Sequence, residues 1–580
     1  MNSLVLVLLS FAGYYVAYQV YGKYISKKIF NLDDKNVVPS EQFSDGVDFV
    51  PTRKNIVFGH HFTTIAGVGP IVGPAIGVIW GWLPAFLWVF LGSIFMGAVH
   101  DFSTLVISAR NKGKSIADIT HSVIGRNAMV AFQLILQLLL LLVLSVFALI
   151  VSNLFMMYPE TVIPVWIQIP ISLWLGRQIK RRNKNYIFIL IALVLIYVSI
   201  IIGVRIPVDL NFLFKSSTLP PEVIKNHITV IWCLLLFVYM FFASTIPVDK
   251  LLQPRDYINS QQLFLILFVL IAGIALAHPA IAAPAINHSS FLPGSDVPPM
   301  APLLFIVIAC GAISGFHSIA SSGTTVKQIK KESDMLYVGY GSMIGEGMLA
   351  VIVLVCVTAG IGMGIERNGS ILHGLDSYNH FYASWASRNA GMGAKLESFI
   401  EGAVNFMAVL KIPRIFAQSL IAVFIVSFAN TTLDSATRMQ RITLQEFLLS
   451  GNRKLKIFEN RYLTTFILLS LASVLTFLKP GGKGALLMWP LFGSLNQLLA
   501  ALGLLVVTVY LYLKKKNYFI AFLPMMGILT MTLWAMVNNL FQFLNDSEIL
   551  LAVLSMIILL LTIWLLVSGI QKIFKELKRS

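Results

Sequence analysis

Apolar residues run for about twenty positions at a time along most of this chain, separated by short polar or basic segments. A run of that length crosses the hydrocarbon core of a bilayer as a helix. The runs lack the short, alternating pattern of β-barrel strands. The pattern predicts an all-α, polytopic membrane helical bundle of about fifteen spans. The predicted spans lie near 4–21, 83–108, 128–152, 162–179, 186–204, 227–247, 262–280, 302–322 and 337–363. They continue near 416–432, 462–478, 485–513, 518–540 and 549–570, with a broken second span from residue 62. Three regions follow: 1–61, a first span and a cytoplasmic segment; 62–435, a core; and 436–580, C-terminal helices.

The second span, within GHHFTTIAGVGPIVGPAIG (Gly59–Gly77), is badly made for a continuous helix. Gly67, Gly69, Pro70, Gly73 and Pro74 fall within eight positions. Glycine is a poor helix former, and proline removes a backbone donor and clashes with the preceding turn. In lipid such a break is tolerated only against protein or a wet cavity. Interrupted helices are where many secondary transporters hold substrate. The competing reading is a proline-kinked packing helix. Helix character also lapses at Ser244-Thr245-Ile246-Pro247, at the end of the seventh span. Two interruptions five spans apart, in oppositely directed helices, predict a five-plus-five inverted repeat.

Of 580 residues, 57% are hydrophobic and 12% charged, well below the charged share of a soluble domain. The net charge of +17 would suit nucleic acid, but its distribution does not. Basic residues crowd alternate connections: Arg110, Lys112, Lys114 and Arg126; Arg177 and Lys180–Lys184; Lys327, Lys330 and Lys331; Arg438, Arg441, Arg453 and Lys454; Lys514–Lys516. The positive-inside rule puts these connections in the cytoplasm, the N-terminus outside and the C-terminus inside. The long connection with Arg367 and Arg388 departs from the alternation. The first run reads as a retained span and not a signal peptide. Cys233, Cys310 and Cys356 lie in apolar runs as small core residues, and no spacing suggests a metal site or a cofactor.

Ionisable residues within spans are functional candidates by default. Asp101 lies about 10 Å inside the third span, after His100, and Glu346 about 13 Å inside the tenth. With His317 they are the candidates for proton coupling. The ninth span ends in CGAISGFHSIASSGTTVKQI, where Ser321, Ser322 and Thr324 would suit Na⁺, or serve as ordinary helix-packing glue. Gln133 and Gln137 share one helix face. With Gly67, Gly69, Pro70, Ser244 and Thr245 they are the candidate substrate contacts. His60 and His61 sit at the mouth of the broken span, and adjacent residues cannot share a helix face as paired metal ligands. Asp434 and Arg438, four apart, are expected to pair.

Six stretches, read together, resemble the carbon starvation protein A family: FVPTRKNIVFGHHFTTIAGVGPIVGPAIG, GAVHDFSTLVISARNKGKSI, LLQPRDYIN, CGAISGFHSIASSGTTVKQI, TTLDSATRMQR and MWPLFGSLNQLLAALGLL. They recur in order across residues 50–505. The chain departs from the family pattern at His100, where Gln is familiar, and in a shorter C-terminal region. The resemblance implies a plasma-membrane transporter of peptides or pyruvate, linked to nutrient stress, with a LeuT-like fold.

The reading is a secondary active importer of a small peptide or pyruvate-like carboxylate, driven by H⁺ in preference to Na⁺. Its partners are the substrate, the coupling ion and the lipid bilayer, without nucleic acid. The alternative is a membrane-embedded enzyme using His60, His61, His100 and Asp101, although no nucleophile elbow or cofactor loop accompanies them. The topology is testable. A cysteine placed in the Arg181–Lys184 loop is expected to label from the cytoplasm, and one at Asp546 from outside; labelling of both from one side overturns the span count.

Overall fold

The computed structural model describes residues 1–181, 186–288, 295–367, 369–385, 392–449 and 455–578. Arg182, Lys184, Arg388, Arg453 and Lys454, which figure in the charge pattern, lie outside the described residues. The fold is a bundle of long helices. Among the described residues the only named strands are Ile365–Arg367 and Ser370–Leu372, an antiparallel pair in one connection.

Eleven helices are long and apolar enough to cross a membrane, and a bent pair brings the number to twelve. The other three predicted spans also form helices but fall short of that measure. Val162–Arg181 carries too many polar residues, Arg461–Thr476 has 16 residues, and the ninth span is split into two pieces. Large apolar side chains exposed on the outside, such as Leu190, Val194, Leu560 and Ile563, are those a hydrocarbon phase would cover.

The bent pair is the predicted broken span, in helices Lys54–Ala66 and Gly69–Trp80, at 42° to each other. Gly67 has φ +44°, a conformation that side chains disfavour, and a Cβ there would lie 2.7 Å from Thr432 Oγ1. Pro70 falls in the first turn of the second piece, where a missing N–H costs little. The helix begins at Lys54, so His60 and His61 are fully buried inside it and not at its mouth.

The second interruption is not at Ser244. Helix Pro221–Thr245 is continuous and simply ends at Ile246. The chain breaks instead between Met300–Val307 and Gly315–Gly323, inside the ninth predicted span. The inverted-repeat pairing drawn from the seventh span therefore loses its basis. The two real breaks face each other. A Cβ on Gly69 would sit 2.4 Å from Cys310 Sγ, and one on Gly73 2.7 Å from the Val307 carbonyl oxygen.

Helix Arg414–Leu449 runs for 36 residues, and its polar stretch is buried through Thr443 instead of leaving the bundle near residue 432. The expected Asp434–Arg438 pair does not form. Asp434 pairs with Arg255, while Arg438 donates to Asp48 Oδ1 at 2.8 Å and to the Ile246 carbonyl. Each charge has found a partner on another element, which avoids the cost of an uncompensated buried charge.

Segment 44–53 closes the end of the bundle that carries the basic connections. Val50 N–H donates to the Lys327 carbonyl and Thr52 N–H to that of Gln328, both at 3.0 Å. The Val248 N–H donates to the Val47 carbonyl at 3.2 Å. Asp48 meets Arg438 at 2.8 Å and Arg441 at 3.6 Å. Burial works to raise the Asp48 carboxyl, but Arg438, Arg441 and Lys327 outweigh it and hold it below its ordinary value. A lowered carboxyl contributes stability above its unfolded pKa and loses it as pH falls through the folded one. Asp48→Asn is therefore expected to cost about 2 kcal/mol at pH 7. The difference from the unaltered protein closes below about pH 4. Thermal unfolding in detergent at pH 7 and pH 3 checks this, and an equal difference at both rejects it.

Candidate functional site

Three spans converge on one buried polar cluster. Trp82–Arg110 supplies His100 and Asp101, the half-helix Gly315–Gly323 supplies His317, and Leu336–Met363 supplies Glu346. All four side chains are inaccessible to solvent. Asp101 Oδ1 lies 2.8 Å from His100 Nδ1, and Asp101 Oδ2 lies 2.9 Å from His317 Nδ1. His317 Nε2 stands 3.4 Å from Glu346 Oε2. Close approach depends on small neighbours. Gly347, beside Glu346, leaves no room for a Cβ against Tyr14 and Ser93, and Gly339 lies against the Phe102 backbone.

The chemistry follows from donor and acceptor counts. A carboxylate at Asp101 accepts from both Nδ1–H groups. That fixes Nε2 of His317 as the atom facing Glu346. A proton on either Nε2 or the Glu346 carboxyl can then serve the gap between them. Neither Glu346 oxygen has a hydrogen bond within the protein. Such a group is costly in a membrane interior unless it serves a function. The three residues singled out for coupling are thus brought together.

The hydroxyls considered for Na⁺ are largely occupied. Ser322 donates to the Ser318 carbonyl at 2.6 Å and accepts from Ile116 N–H, and Thr324 donates to the Ala320 carbonyl. Ser321 Oγ is buried without a hydrogen-bond partner. This is mostly the pattern of helix packing. Among the described residues no group of three or more His, Cys, Asp or Glu is placed to hold a metal.

The four residues of the enzyme alternative do not form one constellation. His60 Nδ1 turns to Asp256 Oδ2 at 2.5 Å, and His61 Nδ1 to Thr325 Oγ1 at 2.8 Å. Asp256 belongs to a second buried cluster that the sequence reading did not assign. There Arg255 pairs with Asp434 and contacts Tyr239, whose hydroxyl donates to Asp434 at 2.7 Å. Thr431 Oγ1 accepts from Arg255 and Asn259, both at 2.9 Å. The signal was present in LLQPRDYIN, where an Arg-Asp pair opens a membrane helix.

A cavity of about 410 Å³ reaches the two breaks. Gly69, Gly73, Cys310, Trp489, Asn496 and Asn539 are among its lining residues. Of the predicted substrate contacts, Gly69 lines it and Gly67 and Pro70 flank that position. Gln137 instead donates to Thr443 Oγ1 at 2.9 Å, and Gln133 is buried with its amide unpaired. Thr245 donates to the Phe241 carbonyl, and Ser244 Oγ is buried and unpaired. None of these four lines the cavity. Asn496 and Asn539 were missed as site residues; the signal for Asn496 was an amide within the apolar run that follows MWPLFGSL.

Comparison with known proteins adds the following. A family model described as "Carbon starvation protein CstA" matches residues 2–535. The "Peptide transporter CstA" of Campylobacter jejuni is 31% identical, over 94% of this chain and 82% of its own length. The "Pyruvate/proton symporter BtsT" of Escherichia coli is 30% identical, over 93% of this chain and 82% of its own. A solved structure of MhsT in complex with L-phenylalanine is 14% identical and covers 83% of this chain and 98% of its own, with a TM-score of 0.47.

Proposed function

Because the chain belongs to the carbon starvation protein CstA family, we propose that it is a secondary active transporter that imports a small nutrient by proton symport. The nutrient is a peptide or a pyruvate-like carboxylate, the two substrates in the names of its relatives, and uptake serves the response to carbon starvation. The protein sits in the cell inner membrane, with the N-terminus outside and the C-terminus in the cytoplasm. Fifteen spans and a LeuT-like arrangement, with the two breaks facing each other, belong to the same reading.

The observation that carries the proposal is the buried chain Asp101–His317–Glu346. Its middle member, His317, lies on the half-helix that begins where the second break ends. Substrate occupies the cavity at the breaks. There the N-terminus of Gly69–Gly77 turns its positive dipole end toward a carboxylate. The engaged hydroxyls of Ser322 and Thr324 favour H⁺ over Na⁺ as the driving ion. The transport reading leaves the protein without a catalytic role.

Two measurements test this in proteoliposomes, with labelled dialanine and labelled pyruvate as separate probes. Gly69→Leu is expected to abolish uptake while leaving membrane insertion intact, because the new side chain collides with Cys310. Normal uptake would reduce the break to a packing kink. Asp101→Asn mimics the permanently protonated carboxyl. It is expected to lose proton-driven accumulation by at least about a hundredfold, the lower end of the range for a lost proton-transfer group. Counterflow exchange is expected to survive. Retention of both would move coupling to Glu346, and loss of both in a well-inserted variant would assign Asp101 to substrate binding.

A further inference from the structure

Helix Trp489–Leu513 touches both the cavity and the proton-site cluster. Its Asn496 lines the cavity beside Gly69 and Cys310, yet the residue is only 1% exposed. The side-chain oxygen of Asn496 accepts from Ser314 Oγ and from Phe316 N–H, each at 3.0 Å. Phe316 N–H is one of the donors left unpaired at the start of helix Gly315–Gly323, and Ser314, in the capping position, makes no cap bond of its own. Asn496 therefore caps this half-helix from another element. Gly315 permits the close approach of the two helices, since a Cβ there would come within 2.4 Å of the main-chain carbonyl oxygen of Asn496. The next residue after Phe316 is His317.

The same helix reaches the cluster a second time. A Cβ on Gly503 would lie 2.9 Å from His100 Nε2. The titratable groups around His317 are Asp101 and His100 on one span, Glu346 on another, and His61, held on Thr325 beyond the end of the half-helix. The His317–Glu346 separation of 3.4 Å is just beyond good hydrogen-bond length. A displacement of a few tenths of an ångström at the start of the half-helix makes or breaks that bond.

We propose that Asn496 is the positioning residue that ties the state of the cavity to the proton site, by holding the start of the half-helix that carries His317. The inference rests on the transport reading above. A ligand entering the cavity meets the break at Asn496, whose amide nitrogen donates to Cys310 Sγ at 3.9 Å while its oxygen stays on Ser314 and Phe316. Movement of Asn496 is passed directly to the residue before His317.

The test compares Asn496→Ala and Asn496→Asp with the unaltered protein, at matched levels in proteoliposomes, using labelled dialanine and labelled pyruvate. For Asn496→Ala, proton-driven accumulation is expected to fall about tenfold or more, and counterflow exchange by about threefold or less, as loss of a helix cap alone would give. Asn496→Asp keeps a capping oxygen and is expected to recover accumulation to within about threefold. Equal loss of accumulation and exchange in Asn496→Ala, or no loss of accumulation, overturns the proposal. If Asn496→Ala does not reach the membrane, Ser314→Ala removes one of the two donors to Asn496 and carries the same expectation; equal losses there overturn it. An unaltered protein that shows uptake without any proton dependence overturns the transport mechanism and this proposal with it, whereas proton-driven uptake with an indifferent Asn496 overturns only the proposal.

Discussion

The contact between Asp101 and His317, 2.9 Å long and closed to solvent, is the constraint on which the arrangement depends. A carboxylate in the interior of a membrane bundle requires a donor supplied by the protein. Here the donor sits in the first turn of a half-helix, which can start there only because the chain is unwound across residues 308–314. Unwound backbone in turn has to be covered. It is covered by the other broken helix, close enough that Gly69 and Gly73 tolerate no side chain. The cavity between the breaks is thus a product of the same requirement that seats the cluster of Asp101, His317 and Glu346.

The helix Lys54–Ala66 stands between two buried charge clusters, with one histidine bonded in the first and the other bonded beside the second. His60 meets Asp256, in the cluster of Arg255, Asp434 and Tyr239, and His61 meets Thr325, next to the half-helix of His317. Adjacent residues on a helix point about 100° apart, which is why one dipeptide serves two neighbours. This helix therefore cannot tilt without altering a hydrogen bond in the first cluster and one beside the half-helix of the second. Its far end is fixed by segment 44–53, where Asp48 clamps Arg438 and Arg441. A change at the closed end is mechanically linked to the breaks through a single rigid element.

The fold was legible in the sequence as far as local chemistry reached. Run length gave the membrane helices, and the crowding of Gly67 to Pro74 gave the first break, because glycine and proline act within one turn. Asp101, Glu346 and His317 were legible as candidates because ionisable groups in apolar runs stand out, and the structure brings all three together. What could not be read was pairing between distant elements. Asp434 and Arg438 have ideal helical spacing, yet each takes a partner almost 200 residues or more away, Arg255 for one and Asp48 for the other. Ser244 and Thr245 resembled an interruption because polar residues preceded a proline; that proline lies beyond a normal helix end. The true second break, IACGAIS, holds one glycine and no proline, so nothing local announced it.

The contrast between the two breaks bears on how the site works. The first is fixed by its own residues: Gly67 adopts φ +44°, and Pro70 and Pro74 limit what the backbone there can do. The second is held open by its surroundings, by Asn496 on the half-helix start and by the bulk of helix Gly69–Gly77 against Val307 and Cys310. A break dictated by its sequence persists whatever its neighbours do. A break dictated by its contacts changes when they change. His317 lies on the second kind, and the rigid backbone that frames the cavity on the first. The cavity therefore has a fixed wall on one side and, on the other, the element whose position sets the His317–Glu346 distance.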